Sequence, residues 1–586
     1  MKWDLTYHFK NEEEFKKEFA EVQALAQQLP LFQGKLHEIE NFKKYYKIME
    51  EIEVRGSKVY QYASLRSDLN KKNVENSAVL NNVQMMFYML SELTSFENPE
   101  LLSIGKEKIM GFIDSDKELE QLRFAMEKLF RNADHILDAN SEKLLSMYGP
   151  LTNTGSELYS ALAVGDGKSE EVTLQNGEKV NITQGNYRSY IENSTNPEDR
   201  KAIFEAVFKY YANHKTTFAG IYNAVLQADV AYMKAKNYQS CVESYLYGNN
   251  IPVDVYKNLV EVAGNNTEAV KKYIELRKKY LGLDEYHTYD RFMTLGKSSK
   301  KYTYEEAKEL FFKSIEKLPE TFKEKAHEVL KEGFVDVYEQ EGKRTGAYSS
   351  SVTNLHPFIL LNYDSTLDSV FTVAHEAGHS IHSMFSAEAQ PPLLQDYTIF
   401  VAEIASTFNE HNLLDYFLST NASKDEKIVV IEKAIDNIMG TFYRQTLFAE
   451  YELIAHEKAE AGEPINSQVL SNIMIELYKK YYGLDITKEG VKEYVWAYIP
   501  HLHYTPFYVY QYATSFAASF KIYKNVKEEG DVAFEKYLGL LKSGGSKYPV
   551  LQAKEAGVDF MQKETFMAVV ERMTELVEEL EKLLNE

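Results

Sequence analysis

The chain has 586 residues, 44% hydrophobic and 26% charged, with a formal net charge of −22. That composition is globular, too long for one small domain, and too acidic for nucleic acid or an anionic membrane surface to be its main partner. A single cysteine, Cys241, excludes an intrachain disulfide framework. It suits a reducing compartment, and with neither a secretory signal nor an apolar run of about 18 residues, a soluble cytoplasmic protein is expected.

Gly (28) and Pro (13) are scarce for the length, which favours helix. Over residues 11–29, Asn11 with Glu14 makes a capping-box pattern, and Phe15, Phe19, Val22, Ala26 and Leu29 follow at helical spacing until Pro30. Similar patterns to about residue 160 predict antiparallel helices. The texture changes over 163–186, where Asn176-Gly177 between VTL and KVNI predicts a short hairpin. Helix resumes at Asn196-Pro197-Glu198-Asp199, a cap followed by Pro at the first helical position and acids in the first turn. A boundary near 190 therefore divides a helical N-terminal domain, 1–190, from a second domain, 191–586.

Helical patterns continue to about residue 335. Residues 345–363 then surround HPFILLNY with small and β-favouring types, predicting a strand pair with a free edge. Such an edge holds an extended peptide by backbone hydrogen bonds, so this stretch, with His356, is a candidate substrate-binding segment.

Next comes His375-Glu376-Ala377-Gly378-His379. On a helix the two histidines share one face a turn apart, where they can grip one metal ion, and Glu376 stands beside it to hold a water. His-Glu occurs four times in the chain, yet a second His follows four residues on only here. The flanks Phe371, Val373, Ala377 and Ile381 are apolar, so these polar groups are expected to be buried and in need of partners. His382 shares their face but lies about 10 Å along the axis from His375, which suits a supporting place better than ligation. Gly378 inside a helix costs about 1 kcal/mol, and predicts a neighbouring backbone packed close.

For a third ligand, Glu403 in the apolar stretch TIFVAEIASTF is favoured over its rivals Glu388 and Asp396, which sit in a Pro-containing stretch. Glu410 shares the face of Glu403 and is placed to accept a hydrogen bond from the free ring nitrogen of a ligating His. Further on, in WAYIPHLHYTPFYVYQYATSF, His501, Tyr504, Tyr508 and Tyr512 fall close to one face if helix continues through Pro506. His503 and Tyr510 form a second line.

HEAGHSIH, FVAEIAS with Glu403 28 residues after His375, HPFILLNY and the late LKSGGSKYPVLQAKEAGVDF together resemble the M3 family of zinc metallopeptidases, more narrowly its oligoendopeptidase F branch. The resemblance covers most of the chain. It implies a mainly α fold: a large helical ellipsoid of two lobes around a deep substrate channel, with a small β-sheet beside the HExxH helix. It implies one Zn2+ per chain on His375, His379 and Glu403, with Glu376 as general base. From the matching region of relatives, it implies that a His and two Tyr meet the scissile carbonyl. Tyr504 is expected as oxyanion donor beside His501, with His503, Tyr508, Tyr510 and Tyr512 in the substrate-binding set. The implied activity is hydrolysis of internal bonds in short unstructured peptides, by Glu376-assisted attack of zinc-bound water. The alternatives are a metallocarboxypeptidase of a related helical HExxH fold and a zinc-stabilised protein that binds peptides without cutting them.

Overall fold

The computed structural model describes residues 2–296, 300–420 and 423–586. As expected, the protein is mainly α. Helices dominate, and the described residues include five short strands: β1 (Glu170–Thr173), β2 (Lys179–Ile182), β3 (Val335–Asp336), β4 (Tyr348–Ser350) and β5 (Phe358–Leu360). Two compact units emerge, each assembled from three separated stretches. The first comprises residues 1–134, 299–419 and 518–558; the second comprises 135–298, 420–517 and 559–586.

In the first unit, helix Glu12–Ala26 starts as its sequence predicts, with the Asn11 side chain accepting from the Glu14 N–H. The reciprocal bond is displaced by one residue, because the Glu14 carboxylate takes the Lys10 N–H. Phe15 and Val22 of this helix join Phe42, Tyr45 and Val59 of helix Ile39–Leu69, and Val83 of helix Val74–Leu93, in one apolar core.

The strands β3, β4 and β5 form a sheet in the order β3-β5-β4, with β3 parallel and β4 antiparallel to β5. Phe358, Ile359 and Leu360 are fully buried, as the central strand of a covered sheet requires. The N-terminus is tied to this sheet: the Trp3 indole N–H donates to Ile359 O at 2.8 Å. β3 and β4 are the edge strands, and Gln61 of the long helix steadies β4 by donating to Ser350 O at 3.0 Å.

Two helices follow the sheet. The motif helix, Leu367–Ala389, opens on Thr366, whose side chain accepts from the Ser369 N–H. The second helix runs over Ile399–Ser419 and carries Glu403. Their backbones touch. A Cβ on Gly378 would lie 2.5 Å from Ala405 O and 2.6 Å from Ser406 Cα, distances no side chain accommodates. Beside this contact, Asn409 Nδ2 donates to Ala374 O at 3.0 Å, linking the two helices by a buried bond.

In the second unit, β1 and β2 form the predicted hairpin, with Glu170 opposite Ile182 and Gly177 at φ +87° in the turn. Helix Pro197–Asn213 begins at Asn196, which accepts from the Glu198 N–H at 2.9 Å. The stretch 496–512 departs from its reading as one helix. Short helix Val495–Tyr498 ends at an extended Ile499 and His501–Tyr504 ends at Thr505, and Phe507 takes a positive φ of +54° before helix restarts at Tyr510. Pro506 is the physical reason, since its ring drives the preceding residue out of the helical region and it has no N–H to continue the ladder.

The contact at Gly378 yields a prediction. Gly378→Ala must push the two helices apart, and the mismatch should cost about 1–3 kcal/mol of stability. Denaturant unfolding of the variant should show a lowered midpoint at unchanged slope; an unaltered midpoint would mean the two backbones separate without cost.

Candidate active site

Three donor atoms from the two touching helices converge. His375 Nε2 and His379 Nε2 stand 3.2 Å apart, and each is 3.4 Å from Glu403 Oε2. Tetrahedral ligands about 2.0–2.1 Å from one ion stand about 3.3–3.4 Å from each other, so the triangle has the dimensions of one small-cation site. Two imidazoles with one carboxylate favour a transition-series ion over Mg2+ or Ca2+, which take oxygen ligands. Among the described residues, these three are the group of potential ligands close enough to share an ion.

The surroundings orient each ligand. Glu410, two turns along the same helical face from Glu403, accepts from His375 Nδ1 at 2.5 Å, which leaves Nε2 free to point at the site. Ser406 Oγ donates to Glu403 Oε2 at 2.8 Å, and Thr407 Oγ1 to Glu403 O at 2.6 Å. Burial opposes charge on Glu403, yet hydrogen bonds and charge from His375 and His379 hold its pKa far below the usual carboxylate range. Burial likewise opposes charge on His375, and Glu403 and Glu410 overcome it, raising its pKa well above the imidazole norm. Positive charge is therefore favoured at this point of the molecule.

Glu376 sits apart from the ligand triangle. It is only 6% exposed, and its Oε2 has no hydrogen-bond partner among the described residues. Burial raises its pKa, while the charges of His375 and His379 and the Ser349 amide pull the other way. β4 thus runs directly beside the motif. Ser349 and Ser380 hydroxyls are bonded at 2.8 Å, and Ser351 donates to Ser383 at 2.9 Å, so two serine pairs stitch the edge strand to the helix. Sequence reasoning did not single out these serines; their signal was the spacing of Ser380 and Ser383 at i and i+3 beside the alternating Ser349 and Ser351.

His382 is fully buried and stacks on Tyr397, ring centroids 3.6 Å apart. Neither of its ring nitrogens has a hydrogen-bond partner among the described residues, and burial drives its pKa down to about 3. It supports the motif helix by packing. His356 stacks on Phe334 at 3.5 Å with Nδ1 against Pro357 O at 2.6 Å, which makes it part of the filling beside the sheet.

The remaining candidates lie in the second unit. The turn at Pro506, and not a common helical face, gathers three of them: His501 stacks with Tyr508 at 6.0 Å, and both rings meet Tyr512 edge-on. Tyr504 is 41% exposed, and its hydroxyl is bonded to Ser160 Oγ at 2.8 Å. His503 and Tyr510, expected at the substrate, are interior instead. His503 is fully buried and stacked on Tyr159 at 4.0 Å, and Tyr510 is 1% exposed against Tyr256. Their side chains fill the core because a single-helix register does not survive the break at Pro506. Sequence reasoning also passed over Glu452, fully buried in helix Arg444–Glu460. It accepts the Phe507 N–H at 2.9 Å and so pins the strained turn; burial pushes its pKa up to about 8. Its stretch LFAEYELIA also holds Glu450, so the sequence does not single it out as TIFVAEIASTF singles out Glu403.

Two histidines one helical turn apart, a carboxylate from a second helix and a buried glutamate next to the first histidine form the pattern of an HExxH metallopeptidase. Comparison with known proteins agrees. Residues 190–571 match the model of peptidase family M3, and residues 100–168 match that of oligopeptidase F. The chain is 36% identical over 590 residues to oligopeptidase PepF of Bacillus subtilis, covering 99% of this chain and 87% of that protein. Its fold matches a solved structure from Chlamydophila abortus with a TM-score of 0.90 at 34% identity, over 99% of this chain and 98% of that one. It matches oligoendopeptidase-F from Enterococcus faecium with a TM-score of 0.76 at 29% identity, over 98% and 99% of the two chains. The chain belongs to peptidase family M3, in its oligoendopeptidase F branch.

The His375–Glu410 contact can be tested directly. Glu410→Ala should weaken metal binding about 10–100-fold by freeing the ring to rotate and lowering its basicity. Competition against a fluorescent chelator reads this, and unchanged affinity would assign Glu410 no part in holding the ligand.

Proposed function

We propose that the protein is a zinc endopeptidase that hydrolyses internal bonds of short, unstructured peptides, with one Zn2+ per chain on His375, His379 and Glu403. The observation that carries this reading is Glu376: a buried carboxylate oxygen without a hydrogen-bond partner among the described residues, next to His375, which a purely structural metal site has no need of. When bound, the ion supplies Lewis-acid polarisation of the scissile carbonyl and acidifies a water. Glu376, its proton affinity increased by burial, would take a proton from a water held beside it and pass it to the leaving amine. The edge strand β4 receives the peptide in an extended form by backbone pairing, which reads chain shape more than side-chain identity.

The resemblance to M3 relatives calls for a His and two Tyr at the developing oxyanion. His501 with Tyr508 and Tyr512 fits that description, and we assign them the duty in preference to Tyr504, whose hydroxyl Ser160 already holds. The boundary near 190 is proposed as a division of sequence into family modules, 1–190 and 191–586, on the placing of the two family matches. A cytoplasmic site of action is proposed on the lone, buried Cys241.

Glu376→Gln should keep one metal per chain and its affinity for peptide, yet lose about 10²–10⁴-fold in turnover. Retained turnover in a preparation free of other peptidases would overturn the role. A quenched peptide blocked at both ends should be cut internally and spared after chelation. Hydrolysis only when the C-terminus is free would favour a carboxypeptidase, and binding without cleavage a peptide-holding protein.

A further inference from the structure

A second, unrelated concentration of charge lies wholly within the second unit, in a cavity of about 270 Å3. Arg291, Arg444 and Lys492 all line it. Among the described residues no carboxylate comes within ion-pairing distance of any of the three. The nearby acids have other partners: both oxygens of Glu489 accept from Thr288, Glu432 pairs with Arg277 at 2.6 Å, and Asp436 accepts from the Tyr273 hydroxyl at 2.9 Å.

Aromatic faces hold the three cations in place. Arg291 lies over Phe292 at 4.6 Å, Arg444 over Phe448 at 4.7 Å, and Lys492 over Phe208 at 4.9 Å. Such contacts supply about 0.5–2 kcal/mol each, whereas taking a charge out of water costs several kcal/mol. The aromatic contacts therefore do not balance three like charges gathered at one cavity. Neighbouring groups register the resulting field. Lys492, 6% exposed, is pushed down to about 7 by burial first and then by Arg444, with Glu489 opposing and Arg291 adding. Burial would raise the Tyr187 phenol, yet Arg188, Lys492 and Arg291 hold it below its ordinary value. Asp436 lies on the cavity wall, where burial raises its pKa to about 6 against the charges of Arg277 and Arg291.

We propose that this cavity is a binding site for a small oxyanion-bearing molecule, whose phosphate or carboxylate group is clasped by Arg291, Arg444 and Lys492. Guanidinium groups match such oxyanions with paired donors, and the ammonium of Lys492 adds a compact third charge. The Phe292 ring and Met439 line the remainder and suit an apolar or aromatic body of small-metabolite size. The site shares no residue with the metal centre, so it is a binding function separate from peptide hydrolysis.

The test uses the full-length protein at constant ionic strength, with inorganic phosphate and acetate as probes and chloride as the control. Calorimetric titration and thermal unfolding should show saturable binding of phosphate or acetate beyond any effect of chloride. Preference for phosphate identifies a phosphate monoester as the ligand class, and preference for acetate a carboxylate. Lys492→Met and Arg444→Gln should each weaken the preferred probe at least about tenfold. In the absence of any probe, both variants should unfold no earlier than the parent, because each removes a repelling charge. Two results overturn the proposal: neither probe exceeds chloride with the unaltered protein, or both variants bind the probe as the parent does. An earlier unfolding of Lys492→Met with no loss of probe binding would also reject it, assigning the lysine to packing.

Discussion

The contact of two helix backbones at Gly378 is the constraint on which the candidate active site depends. One helix carries both histidines and Glu376, and the other carries Glu403 and Glu410. A carboxylate side chain is short, so its oxygen reaches two imidazole nitrogens at 3.4 Å only if the helix axes run unusually close. Removing the Cβ at Gly378 permits this, and the Asn409 bond to Ala374 O fixes the register of one helix on the other. The helix-propensity cost of a mid-helix glycine, about 1 kcal/mol, is small beside what a misplaced ligand would do to metal affinity.

Three carboxylates in largely apolar surroundings, Glu403, Glu376 and Glu452, meet three different ends. Glu403 keeps its charge because two imidazoles face it. Glu376 accepts the Ser349 amide, leaves its other oxygen without a hydrogen-bond partner among the described residues and has a raised pKa, as Glu452 does, but it alone of the two stands beside the two histidines. Glu452 receives a backbone N–H and is pushed up to about 8, so it serves the turn at Phe507 as a largely neutral group near pH 7. What faces each of them is set by the fold.

Much of the fold and of the metal centre was legible in the chain, and for local reasons. Capping at Asn11 and Asn196, the Asn176-Gly177 turn and the apolar run at 358–361 act within a few residues, where neighbours in sequence are neighbours in space. The spacing of His375 and His379 is likewise a property of one helix turn. The stretch 501–512 misled because a helical period was carried across Pro506. Its ring broke the helix, so His503 and Tyr510 turned into the core, while His501, Tyr508 and Tyr512 met through the turn.

The sequence by itself determined the kind of chemistry available: two imidazoles on one helical face, a glutamate beside them, and an edge-forming strand ahead of them. Their side chains and spacing permit little else. Tertiary structure alone decided how closely Glu403 approaches the two histidines, how the serine pairs bind β4 to the motif helix, and which aromatic rings stay at the surface. It alone also brought Arg291, Arg444 and Lys492, up to some 200 positions apart in the chain, to one cavity. Those outcomes rest on backbone approach and burial between segments far apart in sequence, and no local spacing encodes either.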